Sequence, residues 1–264
     1  MAWSALAQQF CLELGFGVLL ALAFVPRAPV GAFFYRLMGT LAALPIALAL
    51  VARLEGGAAW RSDVAVLGMG LALLAYPLYS GPVPAGREAR FAVGLAAGLV
   101  GSGAAVLALV SAGLEGLGAL GMGVAGLSAL ATGTVAGSVG LAMVLGHWYL
   151  TVPKLEVQYL RRLNRVTIAA MAASGGLCAL SCLLFAEVLR GAEPPLFGPW
   201  GLFYLGTRVA VGLLLPLLFA AMAASALRFQ NTRSATGILY ASTVLVLIGT
   251  AVAAFLQDSY RVPL

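Results

Sequence analysis

One histidine (His147) and one lysine (Lys154) in 264 residues remove most cofactor chemistry at once. A bis-histidine haem needs a second imidazole, so this chain cannot hold one alone. A haem–copper centre needs more still. A retinal Schiff base needs a lysine inside a late apolar span, whereas Lys154 falls in a loop. No Walker A, HExxH, GxSxG or zinc-finger spacing occurs. The three cysteines, Cys11, Cys178 and Cys182, all lie within apolar stretches and read as small packing residues. Charge is scarce too. Charged residues make up 9% and hydrophobic residues 62% of the chain, against about 25% and roughly 45–50% in soluble domains. A soluble fold could not hide that much apolar surface from water.

What is present is a series of eight apolar stretches, at residues 6–25, 31–51, 64–79, 91–114, 117–149, 166–189, 202–227 and 235–256. A membrane-crossing helix needs about 20 apolar residues at 1.5 Å each. The runs are continuously apolar, not alternating, which predicts helices and excludes a β-barrel. The expectation is therefore an all-α, polytopic integral membrane protein, one transmembrane domain over residues 1–264. The third stretch is short and is expected to begin near Trp60 or to tilt little. The N-terminus lacks a basic region before its first apolar run, so no cleavable signal peptide is expected.

The net charge of +6 reflects sidedness and predicts no nucleic-acid partner. With the N-terminus outside, nine basic residues face the cytoplasm: Arg27, Arg87, Arg90, Lys154, Arg161, Arg162, Arg165, Arg228 and Arg233. Only four (Arg53, Arg61, Arg190, Arg261) face outward. The excess places both termini on the outer, periplasmic side of a bacterial inner membrane. The cluster at 154–165 would also attract anionic lipid. The loops at 52–63, 80–90, 151–165 and 190–201 are too short to carry a soluble domain. Pro45 and Pro216 fall inside spans and should bend them. Gly94-x-x-x-Gly98 and Gly133-x-x-x-Gly137 allow close helix approach.

Ionisable residues inside a bilayer cost about 2.5–3.5 kcal/mol each on insertion scales, so each is a candidate for function. Gln9, Glu13 and Gly17 share one helix face. Arg208, with Tyr204 one turn before it, and Glu187 near the end of span six fall at similar depth. They read either as an ion pair of Arg208 with Glu187 or Glu13, or as a polar pocket able to hold a quinone carbonyl or a small solute. At the opposite face stand Arg36, His147, Trp148 and Tyr149. The aromatics suit an interfacial belt, and His147 could donate protons or hold a head group.

Eight spans, both termini outside, no haem ligand pairs and polar residues in the outer part of span one resemble the NrfD-like membrane anchors of polysulfide and DMSO reductases. The closing run Leu245-Val246-Leu247-Ile248-Gly249 is similar to that family's last span. Thr250 and Ala254 stand where members often carry an acid and an arginine. The resemblance implies a quinone site near the outer face and an iron–sulfur partner docked there. The expected function is a haem-free subunit of a respiratory or photosynthetic electron-transfer complex. It would anchor other membrane and redox subunits, contact lipids and bind quinone or quinol. A small-solute or ion transporter and a purely structural subunit are the alternatives.

Overall fold

The computed structural model describes residues 3–26, 30–59, 61–81, 88–114, 116–152 and 155–264. Every regular element among them is helical. The chain runs through α1 (Trp3–Leu22), α2 (Ala32–Glu55), α3 (Val64–Leu74), α4 (Tyr76–Ser80), α5 (Glu88–Gly113), α6 (Ala119–Thr151) and α7 (Gln158–Leu184). Then follow α8 (Ala186–Gly191), α9 (Pro199–Gly206), a π-helical stretch (Thr207–Leu214), α10 (Leu215–Arg228) and α11 (Thr232–Tyr260). Among the described residues, seven helical segments, with α9 to α10 counted as one, are long and apolar enough to cross a membrane. The protein is thus an all-helical, multi-pass membrane protein.

The third expected stretch, 64–79, is a shorter apolar element, Val64–Ser80. It breaks at Ala75 because Pro77, in the first turn of α4, cannot donate to the preceding turn. Its start is fixed by Asp63, whose carboxylate accepts from the amides of Ala65 (2.9 Å) and Val66 (3.2 Å) and pairs with Arg53 at 2.9 Å. Burial opposes the Asp63 charge, but the Val66 amide, Arg53 and the Ala65 amide outweigh it and hold the carboxyl below its usual range. Trp60 lies outside the described residues, as do Arg27, Arg87 and Lys154. Span six differs from the expected 166–189. Its helix starts at Gln158, so Arg161, Arg162 and Arg165 sit on its first turns, and it stops at Leu184.

Large apolar side chains such as Leu44, Leu48, Leu74, Val100 and Leu183 point outward, as lipid contact requires. The interior is built differently. Lipid and leucine are equally apolar, so helices in a membrane associate through close packing and hydrogen bonds. α1 packs against α2, α5, α6 and α11, and α6 against α1, α7 and α11. The α1–α6 crossing is tight enough that a methyl at Gly17 would sit 1.7 Å from the Gly133 carbonyl oxygen. At the π-helical stretch, a methyl on Gly212 would meet the Gly249 Cα at 2.5 Å. Pro216 removes the donor that the Gly212 carbonyl would meet in a regular α-helix, which accounts for the altered winding there.

Arg261 on the chain's last turn donates to the Gly113 carbonyl at 3.1 Å, and Gln257 reaches Gln9 at 3.2 Å. The start of α1 and the end of α11 therefore lie at one end of the bundle, with the end of α5. At the other end Trp148 donates to the Val30 carbonyl at 3.1 Å.

Candidate functional site

Glu13 and Arg208 are the two charged residues buried among the described ones, at 2% and 1% exposure. Gln9, one turn earlier on α1, donates its amide to Glu13 at 2.8 Å. Its own carbonyl accepts from Gln257 of α11. A polar cleft of about 220 Å³ opens above this chain at the terminal end of the bundle, lined in part by Gln8, Gln9, Arg53, Gln257, Asp258 and Arg261. Gln257 and Gln9 thus lead from the surface to the Glu13 carboxylate.

Arg208 approaches from the π-helical stretch. It donates to the Ser174 hydroxyl of α7 at 2.7 Å and to the Thr132 hydroxyl of α6 at 3.0 Å. The Glu13 backbone packs on Gly133, the residue after Thr132. The carboxylate and the guanidinium therefore reach α6 at one level and act on each other electrostatically. Among the described residues they form no ion pair within 4.0 Å. Arg208 Nε is buried with no protein hydrogen-bond partner.

The structure does not bring all of the expected outer residues together. Glu187 lies past the end of span six, on the short helix α8, and pairs with Arg190 at 3.1 Å with its side chain 92% exposed. The span ends early because Phe185 leaves the helical conformation. An Arg208–Glu187 pair is thereby excluded. Tyr204 turns toward α11, its ring 4.7 Å from that of Phe255. Gln9, Glu13 and Arg208 do converge.

At the far end Tyr240 contacts His147 Nδ1 at 3.3 Å, Trp148 stacks on Phe33 at 5.7 Å, and the Tyr149 hydroxyl donates to the Glu156 carbonyl. Arg36 is exposed. Among the described residues no side-chain hydrogen bond joins Arg36 to His147, Trp148 or Tyr149. These aromatic contacts suit a helix end at an interface.

Sequence reasoning missed Thr132, Ser174 and Gln257, because neutral polar residues carry no cost that marks them out. A signal did exist on α7, where Asn164, Thr167, Ser174, Cys178 and Ser181 recur at helical spacing, all buried.

Two apolar spaces adjoin these helices. A groove of about 280 Å³ runs between α1 and α11, lined by Leu6, Ala7, Phe10, Cys11, Ala251, Ala254 and Phe255. It meets the polar cleft at Leu6, which lines both. A larger cleft of about 380 Å³ separates α7 from α9 and α10, with Cys178 and Cys182 on its wall. Glu13 and Arg208 line none of these three spaces, and Gln9 and Gln257 stand between the polar cleft and the Glu13 carboxylate. No group of three or more metal-ligating side chains occurs among the described residues.

Together these features define a multi-pass helical membrane protein with two buried charges, Glu13 and Arg208, joined through Gln9 and Gln257 to a cleft at one end of the bundle. The chain matches no family model, no curated protein and no solved structure. The likeness to polysulfide-reductase anchors accordingly rests on topology and the last span alone.

Proposed function

We propose that the chain is a haem-free membrane subunit of an electron-transfer complex, and that the Glu13–Arg208 centre receives the head group of a quinone or quinol. The observation carrying this reading is the meeting at Leu6 of a polar cleft and an apolar groove. A quinone has a polar ring and an apolar tail, and needs both environments side by side. The tail lies along Phe10, Ala251 and Phe255, open to lipid. The ring reaches past Gln9 and Gln257, whose amides can donate to its carbonyls. Arg208 Nε is a buried donor in need of an acceptor. Glu13 takes the proton that quinol oxidation releases, or supplies the one that reduction consumes. The electrons pass to or from a partner subunit carrying redox centres.

Two further features support this reading over a purely structural ion pair. A register-fixing pair would join carboxylate to guanidinium directly, yet each is bonded to neutral side chains. An amide file leading to the carboxylate is also needless for structure. The basic asymmetry supports a cleft opening to the outer face of a bacterial inner membrane. Arg90, Arg161, Arg162, Arg165, Arg228 and Arg233 follow the end opposite the termini, while Arg53, Arg61, Arg190 and Arg261 accompany them.

The test is titration of the detergent-solubilised complex with a short-tailed quinone analogue. Gln9→Leu removes a donor and should weaken binding about tenfold, since an unmade buried hydrogen bond costs about 1–3 kcal/mol. Bulk at Leu6, as in Leu6→Trp, should weaken it through the tail. Unchanged affinity in both variants would overturn the reading.

A further inference from the structure

α7 is amphipathic the wrong way round for a helix with an apolar core behind it. Its lipid side is apolar, and its buried side carries Asn164, Thr167, Ser174, Cys178 and Ser181. From Asn164 to Ser181 this face extends about 25 Å at 1.5 Å per residue, close to the thickness of the hydrocarbon core, about 30 Å. α6 faces it with matching hydroxyls. Thr132 lies 3.4 Å from Ser174, and Thr167 donates to Ser138 at 3.0 Å. On the α11 side of α6, Thr243 comes within 3.5 Å of the Val139 carbonyl, and Ser242 is buried next to it in sequence.

Self-satisfied hydroxyls alone would explain nothing beyond packing, because serine and threonine can bond their own helix. Four buried atoms break that pattern. Asn164 Oδ1, Ser181 Oγ, Ser242 Oγ and Arg208 Nε have no protein partner. Asn164 uses its amide nitrogen on the Ala220 carbonyl at 2.9 Å and leaves its oxygen unmet, at 1% exposure. In a membrane interior such an atom is costly unless water reaches it. One turn further toward the end of the bundle, Arg161 donates to the Leu227 carbonyl, where the basic cluster meets solvent.

We infer that the inward face of α7 walls a hydrated proton path joining the Glu13–Arg208 centre to the end of the bundle that carries Arg161. The path rests on the quinone reading for its purpose and deepens it: it carries protons between the site and the opposite side of the membrane. Each proton that leaves the file for the Glu13 carboxylate is replaced from bulk water at the Arg161 end of the bundle, past Asn164, so one proton moves per transfer. The water file crosses the stretch between Thr132/Ser174 and Ser138/Thr167. The Arg208 guanidinium repels free metal cations at the site end, while Glu13 gives the proton its acceptor.

The test uses the purified complex in liposomes loaded with a pH-sensitive dye, under a potassium diffusion potential. Intact protein should carry protons several-fold faster than protein-free vesicles. Thr167→Val, which keeps shape and removes the hydroxyl, and Asn164→Leu should each slow the flux several-fold. Quinone-analogue affinity, measured on the same preparations, should stay unchanged. Flux no faster than in empty vesicles, or flux indifferent to both variants, overturns the path and leaves the quinone site standing. Equal passage of sodium or chloride also overturns it, since that marks a solute pore. Loss of analogue binding in Gln9→Leu is independent of flux, so the two readings fail separately.

Discussion

Arg208 carries the largest single cost in the bundle, a guanidinium at 1% exposure held by two hydroxyls. Its charge is offset by Glu13 without a direct hydrogen bond or an ion pair within 4.0 Å among the described residues. Arg208→Leu should leave an assembled complex that no longer oxidises quinol. If the pair were only structural, the stranded Glu13 would cost about 3–5 kcal/mol, yield would fall, and the assembled fraction would turn over normally. Complex yield and quinol oxidation on one preparation separate these outcomes. Glu13 and Arg208 were legible in the sequence because charge inside an apolar run is rare. Their hydroxyl partners were not, since Thr132 and Ser174 are unremarkable until α6 and α7 meet. Glu187 misled because the end of its helix depends on the Phe185 backbone, which hydropathy does not record.

The elements make their own predictions. Asp63 caps α3 and pairs with Arg53, and its carboxyl is held below the usual range. The sign follows from a lowered folded value: its contribution is complete above the unfolded value of about 3.9 and is lost as pH falls through the folded one. Asp63→Asn should cost about 1 kcal/mol or less at neutral pH, because asparagine also caps. It should also flatten the acid limb of thermal stability measured in detergent. An unchanged acid limb would remove Asp63 from that role. At the α1–α6 crossing, Gly17→Ala should abolish recovery of folded protein, because its methyl would overlap a carbonyl at 1.7 Å. Gly140→Ala, with nothing within 4 Å, should be neutral or stabilise by up to about 1 kcal/mol. Monodispersity on size exclusion reads both. The Gly133/Gly137 spacing announced a close crossing, but not that Gly17 was its partner. Pro216 announced a bend, and the structure makes of it a π-helical stretch that carries Arg208.

Across the whole molecule, the all-helical, multi-pass architecture was readable from hydropathy. Against the eight expected spans stand seven helices of crossing length and the shorter Val64–Ser80 among the described residues. The closeness of the two chain ends was not readable. It depends on Gln9 meeting Gln257 and Arg261 meeting Gly113 over very long sequence separations. Reporter fusions or thiol accessibility should place the segment 154–165, which includes the first turns of α7, in the cytoplasm and both termini outside. A cytoplasmic C-terminus would turn the polar cleft toward the inner face and reverse the direction of the α7 path. On the proposed function, a quinone occupies the region around Leu6, which lines both cleft and groove. Photolysis of an azidoquinone bound to the purified complex, followed by peptide mapping, tests it most directly. Labelling should fall on α1 around Leu6 to Glu13 and on α11 around Ala251 to Asp258, and excess unlabelled quinone should suppress it. Labelling confined to the cleft beside Cys178 and Cys182, or spread over the lipid-facing surface without competition, would contradict it.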